Sequence, residues 1–131
     1  MSFRAEVREK LNGVDVKPFL KKNDFSGMDY LNWADCWQLL TNEYPNTEWP
    51  SFREEWLPDK SVMVHCDLEI TGEGTRPNVV RQTMSLPVMI GKDFHAIENP
   101  SARQISDTQM RCFVKCAAVC GLGLVCWARF S

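Results

Sequence analysis

Apolar positions along the chain switch between two periods. Phe3, Val7 and Leu11 recur every fourth residue in FRAEVREKL, which predicts a short amphipathic helix ending near Gly13. Residues 17–27 are polar, hold Lys17, Lys21 and Lys22, and read as a connector whose lysines are solvated rather than bound to phosphate. A second helix is predicted over 31–44, with Trp33, Cys36, Trp37 and Leu40 as a buried stripe and Pro45-Asn46 as its stop. The period then falls to two. Residues 47–56 form an edge strand interrupted by Pro50, and 62–70 alternate strictly, with Val62, Val64, Cys66, Leu68 and Ile70 on one side. Gly72-Glu73-Gly74 turns the chain into a third strand at 78–90, and Gly91-Lys92-Asp93 is a further turn signal.

A long helix follows Asn99-Pro100. Two S-x-x-Q boxes compete for its start, Ser101 with Gln104 and Ser106 with Gln109, the second favoured by Asp107 in the first turn. Gly121 is a natural terminator, and 124–130 are predicted as a last short strand. The predicted class is α+β: an antiparallel sheet of about three to five strands with the long helix on one face.

Composition narrows the possibilities. At 131 residues the chain reads as a single domain, with 1–27 as N-terminal helix and connector and 28–131 as core. No apolar run approaches the ~20 residues of a membrane span, and the charged start is unlike an export signal, so a cytoplasmic protein is expected. The six cysteines are then thiols, and their spacing suits a packed helix face better than a zinc site. No phosphate loop, nucleophile elbow or zinc-protease motif is present, so neither catalysis nor a cofactor is expected; a two-carboxylate centre at Asp67 and Glu69 is a minor alternative.

Charge is unevenly spread. Residues 75–131 hold seven Lys and Arg against three Asp and Glu, a net of +4, while 1–74 carry −6. Within the basic half, Arg111 and Lys115 lie one turn apart on the otherwise apolar MRCFVKCAAVCGLGL. Like charges at that spacing repel, so an external anion is expected to balance them. Phosphate is the usual one. The competing use of Arg111 is an ion pair with Asp107, four residues earlier, or with another acid brought near by folding.

Tyr30-Leu31-Asn32-Trp33-Ala34-Asp35, Tyr44-Pro45, Leu86-Pro87-Val88-Met89, Ala96-Ile97, Asn99-Pro100 and Met110-Arg111-Cys112 through Lys115 to Gly121-Leu122-Gly123-Leu124 occur in an order that resembles phage single-strand annealing proteins of the Sak type, third branch. The resemblance covers roughly residues 14–130. That group is related to the RecT and Red-beta annealing proteins and to the eukaryotic Rad-type mediator. It implies a helix on an antiparallel sheet, assembly into rings or helical filaments, and ATP-independent annealing of single-stranded DNA in phage-type recombination within a bacterial host cell. It also implies that cations on the long helix and neighbouring hairpin line a groove for the sugar–phosphate backbone. By position these are Arg111 and Lys115, with Arg103, Lys92 and Arg81 as further candidates. A single-strand binding protein and an exonuclease are the implied partners. Relatives often reach the former through a C-terminal tail, which a chain stopping at 131 is not expected to use. The alternatives are a nucleic-acid-binding module without annealing activity, serving RNA or replication, and a protein-interaction domain.

Overall fold

The computed structural model describes residues 2–23, 27–74, 78–90 and 95–127. In chain order the elements are α1 (Phe3–Asn12), a 3-10 turn (Lys17–Phe19), β1 (Leu20–Lys22), β2 (Asp29–Leu31), α2 (Trp33–Glu43), β3 (Ser51–Trp56), β4 (Val62–Thr71), β5 (Val79–Pro87), β6 (Met89–Ile90), β7 (His95–Ala96), α3 (Ala102–Val119) and a second 3-10 turn (Leu124–Cys126). The class is α+β. One antiparallel sheet runs in the order β3-β4-β5, and β1-β2 and β6-β7 form two small hairpin sheets beside it.

Strand β4 organises the core because its alternation is complete. Val62, Val64, Cys66, Leu68 and Ile70 are buried, while Asp67 and Glu69 on the other side are exposed. The buried side receives α3, whose Cys112 thiol donates to the carbonyls of Val64 (3.8 Å) and Met84 (3.4 Å). One turn on, Cys116 does the same to Cys66 and Gln82, both at 3.6 Å. Cys112 and Cys116 are thus small apolar residues that also satisfy sheet carbonyls, and all six cysteines are free thiols. Burial pushes Cys36 up and raises Cys120 to about 11, so these thiols stay protonated and inert at neutral pH.

The start of α3 falls at the earlier box. Ser101 accepts from the Gln104 amide at 3.2 Å, and the Gln104 side chain accepts from the Ser101 amide at 2.8 Å. Ser106 is an exposed residue inside the helix, so the expected later start is one turn and more too far along. The helix ends in a Schellman turn: the Leu122 amide donates to Ala117 and the Gly121 amide to Ala118, both at 2.9 Å. Gly121 has φ 121°, and a Cβ there would lie 2.7 Å from the Arg8 carbonyl of α1. The close approach of α1 to this turn requires glycine.

Three other expectations change. Residues 124–126 are a 3-10 turn, not the start of a strand, because Gly123 (φ 77°) bends the chain back onto Leu31; 128–130 lie outside the described residues. The polar connector is partly ordered as β1, which pairs with β2. The strand expected over 78–90 is two strands, broken at Val88, whose amide bonds to Val62 at 2.9 Å. The turn at 91–93 lies outside the described residues.

Candidate nucleic-acid interface

The β1–β2 hairpin, the start of α2 and the outer side of α3 enclose a groove of about 880 Å³, within the usual ~300–1,000 Å³ range of ligand pockets. Each wall follows from local sequence. Asn32 caps α2, its side chain accepting from the Ala34 amide at 2.8 Å, and so fixes the sharp passage from β2 into the helix. That passage sets Tyr30 and Trp33 on one wall. From α3 the groove is lined by the four-residue repeat Asp107, Arg111, Lys115, and Trp127 also contributes to the lining.

Arg111 and Lys115 are held differently. Lys115 is half-buried, and its Nζ donates to the Ser85 carbonyl on edge strand β5 at 3.3 Å. Arg111 is exposed as a residue, yet partial burial of its guanidinium lowers its pKa. A guanidinium remains charged at any physiological pH. Among the described residues neither Arg111 nor Asp107 makes an ion pair, so the intrahelical bridge that competes for Arg111 is not formed. A partly desolvated cation without a carboxylate partner is poised to gain a strong charge-assisted bond from an anion.

The other predicted cations do not join this pair. Arg103 continues the four-residue repeat on the first turn of α3, exposed and outside the groove. Arg81 points from the opposite face of the sheet, where its Nε lies 3.3 Å from Glu69. Lys92 lies outside the described residues. On that opposite face Asp67 accepts from Thr83 Oγ1 at 2.6 Å, and His65 bridges Glu55 (2.8 Å) and Ser85 (2.6 Å). Asp67 and Glu69 are thereby engaged by their cross-strand neighbours. Among the described residues no group of three or more His, Cys, Asp or Glu is placed to hold a metal ion. Nor is any described helix long and apolar enough to cross a membrane.

The aromatic wall is the part that periodicity misassigns. Trp33 belongs to the apparent stripe with Cys36 and Leu40, yet those two are fully buried while Trp33 is 42% exposed. It sits in the first turn of α2, at the mouth of the groove. Trp37 does pack inward, and a chain of edge-to-face rings runs from Trp33 to Trp49 (5.6 Å), Trp37 (5.1 Å from Trp49) and Phe113 (6.0 Å from Trp37). Tyr30, also 42% exposed, alternates with buried Leu31 on β2. The usable signal was the position of both residues at the strand–helix junction, Tyr30-Leu31-Asn32-Trp33. Cations and exposed aromatic rings that line one groove suit a ligand that combines phosphate with planar rings.

A family model described as Sak Single Strand Annealing Protein matches residues 6–129, nearly the whole chain. No curated protein and no solved structure matches it.

Proposed function

The chain belongs to the Sak single-strand annealing protein family, and we propose that it binds single-stranded DNA along the α3 groove and anneals complementary strands without ATP. The observation that carries the reading is the convergence of Arg111 and Lys115, neither paired with a carboxylate among the described residues, in one groove with exposed aromatic side chains. Pairing two strands gains about 1.4 kcal/mol per base-pair step from stacking, so no chemical energy is needed. The protein has to hold a strand by its phosphates, keep it from folding on itself and leave base edges free to search. Phosphate contacts carry no sequence information, and binding is sequence-tolerant on this reading. The setting is phage-type recombination, with an exonuclease supplying single strands and a single-strand binding protein as neighbour.

Two complementary fluorescent oligonucleotides, mixed with the protein in the absence of ATP and metal, test the proposal. Duplex formation accelerates as protein approaches saturation of the strands. An unchanged rate throughout the titration rejects annealing, and binding without acceleration favours an accessory module.

Assembly into a ring or filament is part of the same proposal. The sheet has two edges. On β5 the carbonyls of Arg81 and Ser85 already accept from Arg4 (2.7 Å) and Lys115 (3.3 Å). Strand β3 is exposed along most of its length and leaves the more accessible edge for another copy of the chain. Light scattering at micromolar concentration should report species larger than a monomer, with or without DNA. A monomer under both conditions counts against assembly.

A further inference from the structure

We infer that the wall formed by Tyr30 and Trp33 is a nucleobase subsite, in which an unstacked base of the bound strand lies against an aromatic ring while its phosphate meets Arg111 or Lys115. The inference rests on the single-strand reading above and says how the strand is held beyond its backbone.

Three features of the groove point to a base rather than phosphate alone. The first is charge. Among the described residues that line the groove, Asp29 and Asp107 match Arg111 and Lys115 in number, so carboxylates and cations share the site. A site for sugar–phosphate alone would gain nothing from the carboxylates. A nucleotide presents both signs of polarity, because base amino and imino groups donate hydrogen bonds while the phosphate accepts them. Asp107 makes no ion pair among the described residues and offers acceptors one turn from Arg111.

The second is the cost of the exposed rings. Leaving Tyr30 and Trp33 each 42% exposed forgoes burial that their neighbours, Leu31 on β2 and Cys36 and Leu40 on α2, achieve. The third is rigidity. Trp33 is braced edge-on by Trp49 at 5.6 Å, and Trp49 is in turn packed on Phe113 at 5.2 Å. A ring held in advance loses little freedom when a base stacks on it. Every base has a π-face, so the subsite keeps binding tolerant of sequence while making it sensitive to the presence of a base.

The test compares an ordinary single strand with one of equal length carrying a run of abasic sites, which keeps the phosphates and removes the rings. The wild-type chain should bind the intact strand about tenfold more tightly, the scale of stacking on an aromatic side chain. Trp33→Ala should lose most of that preference and bind the abasic strand like wild type, with the same salt dependence. Trp33→Phe should retain part of it. Tyr30→Ala provides a second reading should Trp33→Ala fail to fold. Equal wild-type affinity for both strands overturns the subsite and leaves single-strand binding standing. Equal losses on both strands in Trp33→Ala also overturn it, since the side chain would then serve only the fold. Failure of the wild-type chain to bind either strand overturns the functional reading together with the subsite.

Discussion

Replacing Arg111 and Lys115 together by glutamine is expected to weaken single-strand binding and flatten its salt dependence while leaving a cooperative thermal transition. Each cation that meets a phosphate releases counterions, which contributes about 0.7 to the slope of log affinity against log salt for single strands. Loss of two contacts should reduce the slope by about 1.4, equally for homopolymer and mixed-sequence strands. Glutamine keeps part of the side-chain length and a donor, so the Lys115 bond to the Ser85 carbonyl is weakened rather than abolished. That bond is worth about 1 kcal/mol to the fold, a cost that appears in the melting curve and not in the salt slope. Arg111 makes no ion pair among the described residues, so its replacement leaves no carboxylate stranded. Normal affinity with an unchanged slope would mean that α3 does not face the DNA. Loss of the transition would assign the two cations to the fold and move the search to Arg81 and Lys92.

The single substitutions should differ. Arg111→Gln removes an exposed, partly desolvated charge and acts mainly on binding. Lys115→Gln also loosens the contact between α3 and the β5 edge, so its melting temperature should fall further than that of Arg111→Gln.

How legible these features were in the sequence depended on what determines each. Strand β4 was readable because every second residue from Val62 to Ile70 had to be apolar to meet α3. The long helix was readable in body but not in start: local chemistry offered two boxes and favoured the later one, and only the fold decides that Ser101 caps the helix after Asn99 (φ 48°) and Pro100. The end was misread for a related reason. Leu124, Val125 and Trp127 look like a strand by composition, but positive φ at Gly121 and Gly123 turns the chain against Leu31 before a strand can form. The cation pair was legible as an electrostatic anomaly. Its separation from Arg81 was not, because the pairing of Arg81 with Glu69 depends on the β4–β5 register, which sets these residues on the face away from α3. Trp33 shows the limit of periodicity: spacing predicts which residues share a helix face, and the surroundings decide where along that face burial stops.

Phe113→Ala is expected to be the most destabilising of the changes considered. The side chain is fully buried on the side of α3 that faces α2, with its ring 6.0 Å from Trp37 and 5.2 Å from Trp49. Truncation removes a large apolar surface and leaves a cavity that the bulky indoles cannot fill without leaving their edge-to-face arrangement. The cost for such a change is about 3–5 kcal/mol, a large part of the 5–15 kcal/mol that holds a typical domain together. For a chain of this length the melting temperature should drop by roughly 10–20 °C. Tryptophan emission should shift to the red, because Trp37 and Trp49 lose a hydrophobic neighbour. Phe113→Leu keeps most of the volume and should fall by less. Well below its melting point the alanine variant should retain the wild-type salt slope, since Phe113 is no part of the groove lined by Arg111 and Lys115. A wild-type melting temperature would show that the aromatic cluster does not hold α2 on α3. A folded variant with a flattened salt slope would show that the groove cations depend on Phe113 for their placement.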